Sequence, residues 1–364
     1  VKKTFLILTL CFVSTLLFAQ DDDLTPEEKF YRDSISHLNE SNAAIELSQT
    51  AYNEGISLFK SKNYKGAIAK FEIAVTNDPN FTPAYYNKAI AEISAAKHAD
   101  AVKTLDALLV KKANYPKAYF QLALAYQGLN DNINAEKNYL KAIELDPKNP
   151  KPYYNYATMQ FMQQDYFDAV ANFSKVIMLS PEDAQAYNDR GSCFRMLEKY
   201  AEALKDYEEA ARKNPNLAFV LNNIGTTKTK LKQYPAALEA FNRALSVDKD
   251  FYLAYNNRGV THMKMDRVDD AINDFTKSLA INPKHATSYA NRSGAHFRKG
   301  DYEKAKADAD EAIKLNPKLA DAYVNRGMAK EMLRDLEGAC GDWNKGKELG
   351  SELAKQYQSG NCSN

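Results

Sequence analysis

The chain has no nucleophile elbow, no glycine-rich phosphate loop and no histidine-bearing metalloenzyme helix motif. An enzyme built on it would have to assemble its acid and base from dispersed positions, so neither catalysis nor a cofactor is expected. An excess of one charge is missing too: 48 Lys and Arg stand against 47 Asp and Glu, a formal net charge of +1. The two signs are interleaved, as on solvated helix faces, which argues against the concentrated basic surface that nucleic acid requires. Cysteine is scarce, with four in 364 residues, and histidine nearly so, with five. Beyond residue 19 there is no apolar run of the roughly 20 residues that a membrane span needs.

The first residues carry a different signal. Lys2 and Lys3 precede a mostly apolar stretch from Phe5 to Phe18, and Ala19 stands just before Gln20. That is the layout of a secretory signal peptide over residues 1–19, and it predicts an exported chain, periplasmic or secreted. Removing it takes away Lys2 and Lys3 and moves the net charge from +1 to −1. Cys11 does not suit lipidation, because Leu10 before it is too large. Residues 20–47 read as an acidic tether, led by Asp21, Asp22 and Asp23, and a capping helix. Thr25-Pro26-Glu27-Glu28 supplies the cap, the first-turn proline and the glutamate of a capping box.

From residue 48 to residue 353 the sequence repeats every 34 residues, nine times in register. Position 20 is alanine in every copy: Ala67, Ala101, Ala135, Ala169, Ala203, Ala237, Ala271, Ala305 and Ala339. Position 8 is always small, as at Gly55, Ala89, Gly191 and Ser293. Position 24 is bulky in eight copies, among them Phe71, Tyr139, Tyr207 and Trp343, and proline closes six copies at position 32. Such a period means a solenoid, in which each unit covers the apolar face of the next. Residues 354–364 remain as a C-terminal capping segment, and neither flank is long enough to close a core alone.

The unit resembles the tetratricopeptide repeat, a helix–turn–helix of this length with small residues at positions 8, 20 and 27, an aromatic at 24 and proline at 32. The resemblance implies an all-α, right-handed superhelical solenoid and a protein–protein interaction scaffold. Departures are local. Position 4 holds Tyr in seven copies where the family has Trp, Ala309 replaces the aromatic of copy eight, and Ala113, Lys249 and Ser351 replace the proline.

Four copies carry arginine at position 7: Arg190, Arg258, Arg292 and Arg326. A row of arginines suggests an anion site, but the copies themselves argue otherwise. The same four, and only those, carry aspartate at position 23: Asp206, Asp274, Asp308 and Asp342. Copy one reverses the signs with Glu54 and Lys70, and where position 7 is Leu122, Tyr156 or Ile224, position 23 is Asn138, Asn172 or Ala240. Paired substitution of this kind predicts ion pairs between the two helices of one repeat, where guanidinium geometry suits a carboxylate.

Position 6 is the candidate binding site: Asn53, Asn87, Gln121, Asn155, Asp189, Asn223, Asn257, Asn291 and Asn325. Asparagine costs roughly 0.5 kcal/mol relative to alanine inside a helix, so something offsets it. In the resembling family this position lines the concave face, where a carboxamide both donates and accepts hydrogen bonds. The implied ligand is an extended peptide, its backbone read by Asn53, Asn87, Gln121, Asn155, Asn223, Asn257, Asn291 and Asn325, with Asn222 and Asn256 widening the polar strip. The competing reading is a purely structural ladder in a component of an envelope complex that uses its convex face or edges. The family's clamp for a terminal carboxylate is absent, since position 5 is never lysine and position 6 never arginine.

Two further features invite chemistry. Cys340 and Cys362 flank Gly350 and Ser351, which read as a helix end and the next cap; a hairpin there would bring them level for a disulfide in an oxidising compartment. Cys193 reads as a small buried side chain. His262 and His296 occupy position 11 of adjacent copies, about one helix diameter of 10 Å apart. With no third ligand at hand, packing is expected there and metal is not.

Overall fold

The computed structural model describes residues 25–362, and every element among them is an α-helix. The chain divides into two compact units, 1–156 and 157–364, with the boundary inside one helix. The helices are α1 (Pro26–Lys60), α2 (Tyr64–Asn77), α3 (Thr82–Ser94), α4 (His98–Lys111), α5 (Pro116–Gly128), α6 (Asn132–Leu145) and α7 (Pro150–Met162). They continue with α8 (Tyr166–Leu179), α9 (Ala184–Met196), α10 (Tyr200–Lys213), α11 (Ala218–Lys230), α12 (Tyr234–Val247) and α13 (Tyr252–Lys264). Last come α14 (Val268–Ile281), α15 (Ala286–Lys299), α16 (Tyr302–Leu315), α17 (Ala320–Met332), α18 (Leu336–Glu348) and α19 (Glu352–Asn361). None is long and apolar enough to cross a membrane. The leader and the three aspartates lie outside the described residues.

The helix α1 begins on the capping box read from the sequence: the Glu28 amide donates to Thr25 Oγ1, and the Thr25 amide donates to Glu28 Oε2 at 2.9 Å. It then runs 35 residues without a break and becomes the first helix of the first repeat. Nothing in the intervening sequence stops it, because no proline follows Pro26 and the first glycine is Gly55. Its early turns carry exposed Phe30, Tyr31, Leu38 and Ile45, and burial begins at Ser48 and Ala51.

Each repeat closes by seating a large ring on a small residue. The position-20 alanines are all fully buried, as are Phe71, Tyr139, Tyr207, Phe241, Phe275 and Trp343 at position 24. A Cβ added at Gly225 would lie 2.6 Å from the Phe241 ring, and one at Gly327 would lie 2.4 Å from Trp343. Glycine lets the first helix approach the ring face, and each ring contributes about 2–3 kcal/mol through burial. Copy eight shows the alternative: Ala309 leaves space, and Ser293 turns its hydroxyl to the Ala305 carbonyl at 2.6 Å.

The turn between paired helices has one geometry throughout. Position 15 has positive φ in every copy: Lys62, Ala96, Asn130, Gln164, Glu198, Lys232, Asp266, Gly300 and Arg334. Around it the amide of position 16 donates to the carbonyl of position 11, as from Asn63 to Leu58 at 2.9 Å and from Asp301 to His296 at 3.0 Å. The amide of position 15 bonds position 12, as from Lys62 to Phe59 at 2.9 Å. This is the Schellman closure of a helix, and only copy eight places at its left-handed residue the glycine that would do so without strain.

At the C-terminal end Gly350 takes φ 90° and the Ser351 hydroxyl accepts from the Ala354 amide, starting α19. Tyr357 of this helix stacks on Trp343 at 5.2 Å, and Ala354 is fully buried. Cys340 and Cys362 form a disulfide with Cα atoms 5.7 Å apart, while Cys193 is free and buried.

Candidate interaction groove

The four arginines serve the scaffold. Nε and Nη2 of Arg190 fork onto both oxygens of Asp206 at 2.7 Å, and Arg258 does the same to Asp274 at 2.7 and 2.6 Å. Arg292 reaches Asp308 at 2.8 Å and Arg326 reaches Asp342 at 2.9 and 2.5 Å. The hydrogen bonds to Asp206, Asp274 and Asp308 raise the pKa of Arg190, Arg258 and Arg292. Each Nη1 reaches back one repeat to position 25: Ser174, Asn242, Thr276 and Asp310 accept from it at 2.6–3.1 Å. The guanidinium planes also lie against the position-4 rings of Tyr187, Tyr255, Tyr289 and Tyr323. Each of the three nitrogens of these guanidinium groups therefore has an acceptor. His262 and His296 sit beside the same carboxylates, with Nε2 3.6 Å from Asp274 and 3.9 Å from Asp308. Burial lowers both imidazole pKa values, against the pull of the aspartates.

The amide ladder has a register that no single repeat contains. In the C-terminal unit, Nδ2 of Asn223 donates to Oδ1 of Asn188, Asn257 to Asn222 and Asn291 to Asn256, at 2.9–3.0 Å. Each bond joins position 6 of one copy to position 5 of the copy before, and Asn188, Asn222 and Asn256 are buried. Where position 5 is Ala290, Asn325 bonds that residue's backbone carbonyl instead, at 2.8 Å. In the N-terminal unit a tyrosine hydroxyl takes the place of the amide: Asn87 donates to Tyr52 at 2.8 Å, and Gln121 interacts with Tyr86. Phe120 has no acceptor, and Asn155 turns to the Lys151 carbonyl of its own helix. Asn53 has no repeat before it and accepts from Gln49. The nitrogens of Asn87, Asn223, Asn257, Asn291 and Asn325 thus each give a hydrogen to the preceding repeat. The Asn257 oxygen in turn accepts from Asn256 Nδ2 at 3.2 Å, while those of Asn291 and Asn325 accept no hydrogen bond among the described residues.

In the C-terminal unit the ladder borders two cavities. One, of about 310 Å³, is lined by Thr226, Thr229, Lys230, Lys232, Asn257 and Lys264 among others. The second, of about 610 Å³, is lined by Met263, Asn291, Phe297, Val324, Asn325 and Met328 among others, with Leu353 of α19. Val260 and Lys264 line both, so the two are adjacent. Most of the lining comes from the first helices of successive pairs, chiefly at positions 6, 9, 12 and 13. Positions 9, 12 and 13 form no motif in the sequence. Adding steps of three and four to position 6 in the same 34-residue frame would have pointed to them.

With this geometry in view the comparisons are concordant. Descriptions of the tetratricopeptide repeat match residues 52–119, 116–149, 138–171, 183–250, 252–285 and 286–319. The chain is a tetratricopeptide repeat protein, and the class is one of protein–protein interaction scaffolds. Among solved structures, a tetratricopeptide repeat protein from Parabacteroides merdae is 20% identical with TM-score 0.59, over 68% of this chain and 99% of its own. PilW, a type IV pilus biogenesis factor, is 19% identical with TM-score 0.52, over 57% of this chain and 97% of its own. Yeast Tom70 is 14% identical with TM-score 0.50, over 86% and 94%. At these identities the likeness concerns the fold. Among curated proteins, none matches.

Proposed function

We propose that the protein is a non-catalytic scaffold that holds an extended segment of another protein along the first helices of its C-terminal unit. The observation that carries this reading is the adjacent pair of cavities bordered by Asn257, Asn291 and Asn325. With one amide hydrogen of each engaged between repeats, Asn291 and Asn325 offer their oxygens to the segment's N–H groups and a second hydrogen to its carbonyls. An extended strand rises about 3.3 Å per residue, and stacked helices advance about 10 Å. Successive oxygens therefore fall near every third residue of a bound strand. Residues 48–353 form the binding array and residues 354–364 cap it. Export fits the signal-like residues 1–19, and the Cys340–Cys362 disulfide suits an oxidising compartment.

Substituting ladder asparagines would disturb the bonds between repeats, so the groove is better tested by its apolar floor. Met263→Glu/Met328→Glu places charge in the larger cavity and removes no side-chain hydrogen bond between repeats. Met263 contributes only its backbone carbonyl, which accepts from Arg298 Nη1 at 3.0 Å and survives the substitution. Peptides selected by the wild-type chain from a random library should lose binding to this variant while its circular dichroism is unchanged. Retained binding would move the interface to the convex face.

A further inference from the structure

The two cavities differ in charge, and the difference bears on the chemistry of the partner. Lys230, Lys232 and Lys264 all line the smaller one and are all exposed. Most neighbouring cations of the same unit have an acidic partner: Lys228 pairs with Glu208 at 3.2 Å, Arg298 with Asp266 at 2.9 Å and Lys299 with Asp269 at 2.7 Å. Lys230, Lys232 and Lys264 form no ion pair among the described residues, and no carboxylate lines their cavity. Three exposed lysines lining one cavity without counter-charge repel one another, an arrangement relieved by an incoming anion. The larger cavity has an apolar floor of Met263, Phe297, Val324 and Met328, and its one lining carboxylate, Asp321, belongs to the first turn of α17.

We infer that the groove receives a partner segment that sets Asp or Glu side chains against Lys230, Lys232 and Lys264 and apolar side chains in the cavity floored by Met263, Phe297 and Met328. This rests on the groove reading above and specifies its ligand. The lysines lie in repeats six and seven and the floor extends to repeat nine. From repeat six to repeat nine is about three repeats, or some 30 Å, which an extended strand covers in roughly nine residues, and the floor begins in repeat seven. The recognised pattern is an acidic cluster with apolar residues within about nine positions of it. The acids set register and encounter rate, and the apolar anchors supply most of the affinity.

The test is selection of a random dodecapeptide library on three immobilised proteins: the full chain, Lys230→Glu/Lys264→Glu and Met263→Glu/Met328→Glu. The wild-type pool should be rich in Asp and Glu, with apolar residues within about nine positions. Lys230→Glu/Lys264→Glu should select Lys and Arg instead. It should also bind the wild-type pool about tenfold more weakly at 0.1 M salt, a gap that narrows at 0.5 M as charges are screened. A wild-type pool without acidic enrichment, or one bound equally by the lysine variant, overturns the inference. If that pool still loses binding to Met263→Glu/Met328→Glu, the groove stands and only its charge preference falls. Enrichment unaffected by either variant, or no enrichment at all, removes both.

Discussion

The N-terminal and C-terminal units meet one structural demand with different chemistry. Both tie position 6 of a repeat to position 5 of the repeat before it. The N-terminal unit does so through tyrosine hydroxyls, and the C-terminal unit through buried asparagine amides. Tyr52 and Tyr86 are partly buried and bring a ring as well as an acceptor; Asn188, Asn222 and Asn256 bring only the amide and depend on it wholly. The C-terminal unit adds the forked arginine pairs, absent from the other unit, where the corresponding ion pair of copy one joins half-exposed Glu54 and Lys70. Order in the first unit therefore leans on apolar contact, and in the second on charge and hydrogen-bond geometry. A polar network fixes neighbouring repeats at one spacing, because its bonds fail when the helices slide. That rigidity favours a groove held ready for a ligand.

The comparison breaks most visibly at the ion pairs. Asp274→Ala leaves Arg258 part-buried without its carboxylate and should destabilise the C-terminal unit by about 3–5 kcal/mol. Glu54→Ala, at an exposed pair, should cost no more than about 1 kcal/mol. Segment-resolved hydrogen exchange separates the two, since a repeat array need not unfold in one step; equal losses would refute the division of labour. The ladder comes next. Asn256→Leu strands the Asn291 nitrogen, which donates to Asn256 Oδ1, while the Ser288 hydroxyl keeps Ser278 and His285 as partners, and should cost about 2 kcal/mol. Tyr52→Phe, which keeps its ring, should cost about 1 kcal/mol in denaturant titration. Phe120→Tyr supplies the acceptor that Asn155 lacks and should raise stability by about 0.5–1 kcal/mol; no gain would mean that copy three is set apart by more than a missing oxygen. Ala96→Gly relieves a left-handed alanine at φ 57°. Net of the greater freedom glycine has when unfolded, it should shift stability by less than about 1 kcal/mol, upward. Gly300→Ala should do the reverse.

Much of this was legible before any coordinates. The 34-residue period, the buried alanines of position 20 and the rings of position 24 all follow from side-chain size repeated in register. The arginine–aspartate pairs were legible because the copies serve as their own comparison: each change at position 7 is matched at position 23. The left-handed turn at position 15 was not. Helix ends are usually announced by glycine, and only Gly300 does so here, while Lys62, Ala96 and Glu198 adopt the same backbone unannounced. The continuity of α1 was also missed, since a capping box marks where a helix begins and is silent about where it stops.

The sequence by itself determined the class of fold, the length of the repeat, and which residues within a repeat must touch, because those contacts recur at fixed separations in one chain. It singled out position 6 as unusual without saying what the amides hold. Only the tertiary structure decided that their nitrogens reach position 5 of the preceding repeat, and that Lys230, Lys232 and Lys264 stand unpaired beside an apolar cavity. The reason is physical. Contacts inside a repeat follow from helix geometry, while those between repeats depend on how far one helix pair slides and turns against the next, and that is settled by the packing of whole faces.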